Sequence, residues 1–143
     1  MEKLVTLDIP ARGEYVMLAR LALTALLRDE RFSDDAVTDL KLAVTEACTN
    51  SVRHAYDHGG AQGGQIHVRF NVMADRVVLV VEDDGDDSVA DEGCEEGRAL
   101  GPGALPTEGG MGMCIIRAVV DDFLLERPDT GGMRLTLTKL CDA

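Results

Sequence analysis

The sequence has no tryptophan, two tyrosines and three phenylalanines, too few for the stacked aromatic surface that binds single-stranded nucleic acid. Basic residues are scarce as well. Fourteen Lys and Arg against 26 Asp and Glu leave a net charge of −12, which argues against nonspecific attachment to nucleic acid or anionic lipid. No apolar run approaches the roughly 20 residues of a membrane span. The first ten residues, MEKLVTLDIP, lack the apolar core of an export signal, so a cytoplasmic protein is expected. Cys-x-x-Cys pairs are missing: Cys48, Cys94, Cys114 and Cys141 lie far apart, so neither a zinc ribbon nor a redox dithiol is indicated. Buried reduced thiols are the expectation for Cys48 and Cys114, which fall within apolar helical patterns.

What is present is the composition of a globular protein. A hydrophobic fraction of 45% and a charged fraction of 28% over 143 residues suit one domain with a real core. The stretch Leu40 to His58, LKLAVTEACTNSVRHAYDH, reads as an amphipathic helix. Leu40, Val44, Ala47, Cys48, Val52 and Ala55 form its apolar stripe. Glu46, Asn50 and His54 recur every four residues along one polar edge beside it.

In chain order, Lys3 to Ile9 predicts a strand stopped by Pro10. Glu14 to Leu27 predicts a helix with Tyr15, Leu18, Ala19, Ala22 and Leu26 on its core face. Arg20 lies outside that stripe and reads by default as a solvated charge. Ser33-Asp34-Asp35 is an N-cap signal that starts the long helix, which should end near Asp57 before the glycines at 59–64. Ile66 to Val72 alternates as a half-buried strand, and Val77 to Val81 is continuous enough to be central in a sheet. Ser88 to Glu108 has no period and is rich in Gly, Pro and acid, as a functional lid or a disordered segment would be. Gly109-Gly110-Met111-Gly112 opens another apolar helix, and Asp122 to Glu126 and Met133 to Leu140 read as closing strands. This order predicts an α+β fold: a two-layer sandwich of one mixed β-sheet with helices on one face.

Polar groups of distinct chemistry sit on separated elements. Asp83, beyond a hydrophobic strand, could accept a hydrogen bond from a base amino group, with Gly85 letting a flat ring approach; the plain alternative is an Asp-Gly turn. Gly110-Met111-Gly112 at a helix start presents backbone N–H groups suited to phosphate oxygens; the alternative is a flexible loop end. Asn50 offers a hard oxygen for Mg²⁺, and Glu46 a carboxylate to draw a proton from a hydroxyl; the alternative is a solvated helix edge. His54 and His58 could supply two zinc ligands, but without an HExxH pattern a capping or packing role is expected of each.

LAVTEACTNSVRHAY resembles the asparagine box of the GHKL-type ATPases, and more narrowly that of the anti-sigma-factor serine kinases of the RsbW/SpoIIAB type. VVEDDG resembles their D-x-G adenine box, EGGMGMCIIRAVVDDF their second glycine box, and GGMRLTLTKL their closing strand. The resemblance implies the GHKL (Bergerat) ATP-binding fold as a single domain over 1–143, with an ATP lid over about 86–108. It implies Glu46 as catalytic base, Asn50 as Mg²⁺ ligand, Asp83 and Gly85 at the adenine, and Gly110, Met111 and Gly112 near the phosphates. Arg20 matches a first-helix arginine at the partner-binding face. The implied activity is that of an anti-sigma factor and ATP-dependent serine kinase. Its implied partners are a sigma factor, an anti-anti-sigma antagonist of STAS type and a second copy in a homodimer. The alternative is a nucleotide-responsive binding module with little transfer.

Two departures from the family pattern bear on transfer. Glu108 stands where relatives place a basic residue before the second glycine box, with Arg98 a conceivable substitute. Met133-Arg134 stands where relatives place a threonine, with Thr136 or Thr138 the nearest hydroxyls.

Overall fold

A computed structural model describes residues 2–57, 64–84, 108–128 and 131–141. Strand β1 (Lys3–Pro10) leads through a 3-10 turn (Gly13–Tyr15) into helix α1 (Val16–Leu26), followed by α2 (Asp34–Asp57). Strands β2 (Gln65–Val72) and β3 (Arg76–Asp83), helix α3 (Glu108–Val119) and strands β4 (Asp122–Glu126) and β5 (Arg134–Leu140) complete the order. The five strands form one sheet, β1-β2-β3-β5-β4, with β3 at its centre as the run of valines implied. Along β3, Val77, Leu79, Val81 and Asp83 are buried toward the helices, while Val78, Val80 and Glu82 on the other face are half-buried. Ile66, Val68, Phe70 and Val72 of β2 and Leu135 and Leu137 of β5 extend the same buried face, so the helices cover one side of the sheet.

The α+β sandwich therefore stands as expected, with one correction. Every strand pair is antiparallel, where a mixed sheet was expected. The reason is topological. β3 and β4 run the same way across the α3 connection, but the β4–β5 hairpin folds back and inserts β5 between them. No parallel ladder forms because strands that run the same way are never neighbours in the sheet.

α2 starts where its N-cap signal placed it: the Ala36 backbone N–H donates to Ser33 Oγ at 3.1 Å, and Asp34 and Asp35 sit in the first turn against the helix dipole. Leu40, Val44, Ala47 and Cys48 are buried as the periodicity required, joined by Ala36 and Ala43. α1 keeps most of its expected face: Ala19 is buried and Tyr15, Ala22 and Leu26 pack half-buried against the core, but Val16 and Leu23 are the further buried residues and Leu18 is 41% exposed. The segment is apolar on more than one side, so its periodicity allowed two seams; entry through the tighter 3-10 turn and packing on α2 selected the 16/19/23 seam.

α3 is tied down at its C-terminal end. Lys139 Nζ donates to the Val119 carbonyl at 3.0 Å and to Asp39 Oδ2 at 3.2 Å, joining β5, α3 and α2 through one cation at a helix C-terminus. The cysteines divide by environment. Cys48 is fully buried, and burial pushes its thiol up to about 12, so it is inert. Cys141 Sγ donates to the Arg31 carbonyl at 3.4 Å. Cys114 corrects the expectation of a reduced thiol: it is half-buried beside the Met113/Ile116 stripe and is disulfide-bonded. Cys94 lies outside the described residues. Among the described residues no helix is long and apolar enough to cross a membrane.

Candidate functional site

The site assembles where α3 meets α2. A glycine inside an apolar helix forgoes both helix propensity and packing area, so its presence needs a reason. At Gly112 the reason is proximity. A Cβ built there would lie 3.0 Å from Asn50 Oδ1, 3.3 Å from Asn50 Nδ2 and 3.1 Å from Glu46 Oε1. Gly112 is therefore in direct contact range of both polar side chains on the edge of α2. The carboxylate, the carboxamide and the early turns of α3 share one locus, although 66 and 62 residues of sequence separate Gly112 from Glu46 and Asn50 (112 minus 46, and 112 minus 50). Gly110 and Met111 occupy the first turn of the same helix, where backbone N–H groups lack intrahelical acceptors.

Asp83 closes β3 and is 5% exposed; it and Ser51 are the only buried polar side chains among the described residues. Burying a carboxylate is costly, and a sequence tolerates it chiefly where chemistry or recognition requires it. Because Asp83 continues the 77/79/81 alternation, its side chain projects to the helix-covered face of the sheet. The Asp83 backbone N–H donates to the Met133 carbonyl at 3.1 Å. Behind it stands Gly132, with φ of +79°; a Cβ at that position would run into the Asp83 carbonyl oxygen and approach Asp83 Oδ1 to 3.2 Å. Gly132 was missed as a site residue by sequence reasoning, which took it only as the lead-in to the closing strand. The paired glycines 131 and 132 were the available signal, since both adopt positive φ.

Gly85, Arg98 and all of the expected lid before Glu108 lie outside the described residues, as does His58. The hydroxyls offered as substitutes on the last strand are on the wrong side. Thr136 and Thr138 pair with Val80 and Val78 on the open face of the sheet, away from the helices, while Leu135 and Leu137 face inward. A strand's side-chain period of two permits no other arrangement once those leucines are buried. Neither threonine can reach Glu46.

Arg20 is exposed on α1 and lines a groove of about 410 Å³ with Met17, Leu21 and Thr24, facing Lys41, Leu42 and Thr45 of α2. The floor is unusually apolar for a surface, with Met17 50% and Leu21 58% exposed. Two cations flank it on a chain of net charge −12. The groove and the Glu46 edge occupy neighbouring faces of α2, about 100° apart between Thr45 and Glu46.

Residues 9–139 match the family model described as a histidine kinase-like ATPase domain. The serine-protein kinase RsbW of Bacillus subtilis (strain 168) is 32% identical over 141 residues, covering 94% of this chain and 84% of that protein. The serine-protein kinases RsbW of Listeria innocua and Listeria monocytogenes are each 34% identical over 145 residues, covering 97% of this chain and 88% of theirs.

Proposed function

The chain belongs to the family of histidine kinase-like ATPases, and from that premise we propose that it is an ATP-dependent serine protein kinase that doubles as an anti-sigma factor. In this reading it works in the cytoplasm, holds a sigma factor inactive by binding, and phosphorylates a serine on a small anti-anti-sigma antagonist of STAS type. The observation that carries the proposal is the close approach of Gly112 to Glu46 and Asn50, which joins a phosphate-suited helix start to a base and an oxygen donor.

The residues divide the work as follows. Asp83 accepts a hydrogen bond from the adenine amino group, with Gly85 beside it. Backbone N–H groups around Gly110, Met111 and Gly112 hold phosphate oxygens. Asn50 supplies the protein oxygen for Mg²⁺, whose chemistry is to offset phosphate charge and align the γ-phosphoryl group. Glu46 takes the serine proton as the serine oxygen attacks phosphorus and the bond to the β-phosphate bridging oxygen breaks, leaving ADP. Positioning supplies most of the rate, as in phosphoryl transfer generally.

Arg20 and its groove serve partner binding. Arg20→Glu reverses one of the two flanking charges and is expected to weaken antagonist and sigma-factor binding at least about tenfold, by loss and inversion of an interfacial charge. Nucleotide affinity stays unchanged. Paired titrations of partner and of ADP measure both, and a parallel loss of the two would reject the assignment.

One observation favours a second reading, a nucleotide-responsive binding module with little transfer: no hydroxyl of β5 faces the helices beside Glu46. The test that separates the readings is incubation of the protein with Mg-ATP and its antagonist, with phosphoserine detected by mass spectrometry. Phosphoserine formation supports the kinase. Normal nucleotide binding without phosphoserine leaves only the binding module. A homodimer is part of the same proposal, checked by sedimentation.

A further inference from the structure

On the open face of the sheet, side chains of every strand line up in one register row: Asp8 on β1, His67 on β2, Glu82 on β3, Arg134 on β5 and Glu126 on β4. Arg134 is satisfied by Glu126 at 3.1 Å and lies 3.8 Å from Glu82. His67 is the hinge of the row. Its Nδ1 is 2.8 Å from Asp8 Oδ1, and its Nε2 is 3.3 Å from Oδ1 of Asp84, the residue just past the end of β3. A neutral imidazole carries one N–H and can donate to only one of these carboxylates, leaving a lone pair facing the other. An imidazolium donates to both.

Asp84 is covalently next to Asp83, and its contact with His67 puts it on the open face while Asp83 is buried on the helix-covered face. Holding the Asp84 carboxylate against β2 therefore orients the 83–84 peptide and, with it, the buried Asp83 carboxylate. We infer that His67 is a positioning residue for the nucleotide site: as the imidazolium it clamps Asp84 to Asp8 across β2 and thereby sets Asp83, and as the neutral imidazole it releases one end of the clamp. The inference rests on the proposed role of Asp83 at the nucleotide.

The charges around His67 agree with this. Asp8 from β1, Asp84 beyond β3 and Glu82 across the β2–β3 pairing favour the cation, and Arg134 from β5 is occupied by its own carboxylates. Arg69, two residues along β2 on the same face, is a further cation and opposes it. The hydrogen bond to Asp8, ahead of the bond and charge of Asp84, raises the imidazole above its ordinary 6.5. A raised imidazole contributes its clamp in full below 6.5 and loses it as pH climbs through the higher folded value. Nucleotide affinity should fall across that upper window.

The test is equilibrium binding of a fluorescent ADP analogue to the full chain and to His67→Gln, from about pH 6 upward through the imidazole titration that NMR records. The ratio of the two affinities removes the titration of the nucleotide itself. The expected ratio is about threefold in favour of the wild type at the acid end, the scale of an exposed charged contact, and about one at the alkaline end. His67 resonances followed by NMR should titrate lower in Asp84→Asn and in Asp8→Asn. Binding with a pH-independent ratio, or an unmoved His67 titration in Asp84→Asn, overturns this inference alone. No nucleotide binding by the wild type at any pH overturns the proposed function and the inference together.

Discussion

Gly132→Ala is expected to cost the protein both stability and nucleotide binding, although residue 132 is expected to touch no ligand. The backbone there has φ of +79°, a left-handed conformation that costs an L-residue about 1–2 kcal/mol. The new methyl group would also collide with the carbonyl oxygen of Asp83, a backbone atom with no rotamer to escape into. Relieving an overpacked contact of this kind costs about 1–3 kcal/mol more. Together these amount to about 2–5 kcal/mol, a large share of the roughly 5–15 kcal/mol that holds a domain together. The expected fall in melting temperature is about 5–15 °C for a chain of this size. Because the collision is with Asp83 itself, the relief must displace the residue proposed to read adenine. ADP affinity should therefore drop more than tenfold even at temperatures where the variant is folded, a loss of at least about 1.4 kcal/mol. Gly13→Ala is the control, since a Cβ there meets nothing within 4 Å. Thermal unfolding followed by circular dichroism and calorimetric titration of ADP read the two effects. Wild-type ADP affinity in folded Gly132→Ala would falsify the placement of Asp83 at the nucleotide.

Glu46→Gln separates chemistry from binding. The substitution keeps the shape of the side chain beside Gly112 and Asn50 but removes the basic carboxylate. A positioned general base contributes about 10²–10⁴-fold to proton transfer, so phosphoserine formation on the antagonist should fall by that factor. Affinity for ADP and for the sigma factor should change by less than about threefold, because an uncharged isostere leaves packing and the phosphate-suited N–H groups in place. Single-turnover phosphorylation with saturating Mg-ATP measures the first, and calorimetry the second. A Glu46→Gln protein that phosphorylates at the wild-type rate removes Glu46 as the base. Equal loss of transfer and nucleotide affinity would instead assign it to binding.

Element order, the cap and stripe of α2, the central position of β3 and the edges of β4 were legible in the residues because each depends on neighbours in the chain. Ser33 caps Ala36 three residues on, and Leu40, Val44, Ala47 and Cys48 return on a helical period; neither needs knowledge of the fold. The inward leucines 135 and 137 likewise already sent Thr136 and Thr138 to the far face. The candidate motifs were legible too, as residue types of suitable chemistry in a family's order. The seam of α1 was legible only in part: Tyr15, Ala19, Ala22 and Leu26 do meet the core, but Val16, Leu18 and Leu23 are all apolar and only packing on α2 chooses among them. Strand direction was also undecided, because the local pattern of β5 is the same whether it lies beside β3 or beyond β4.

The sequence by itself determined which candidate groups are present: Glu46 and Asn50 on one helix edge, Asp83 after a hydrophobic strand, and glycines 110 and 112 at a helix start. Only the tertiary structure decided that Gly112 abuts Glu46 and Asn50, that Gly132 backs Asp83, and that His67 reaches Asp8 and Asp84 at once. The physical reason is range. Periodicity and capping act over a few residues, whereas these contacts join segments brought together by burying one shared apolar face, and that burial is indifferent to which polar atoms meet at its margin.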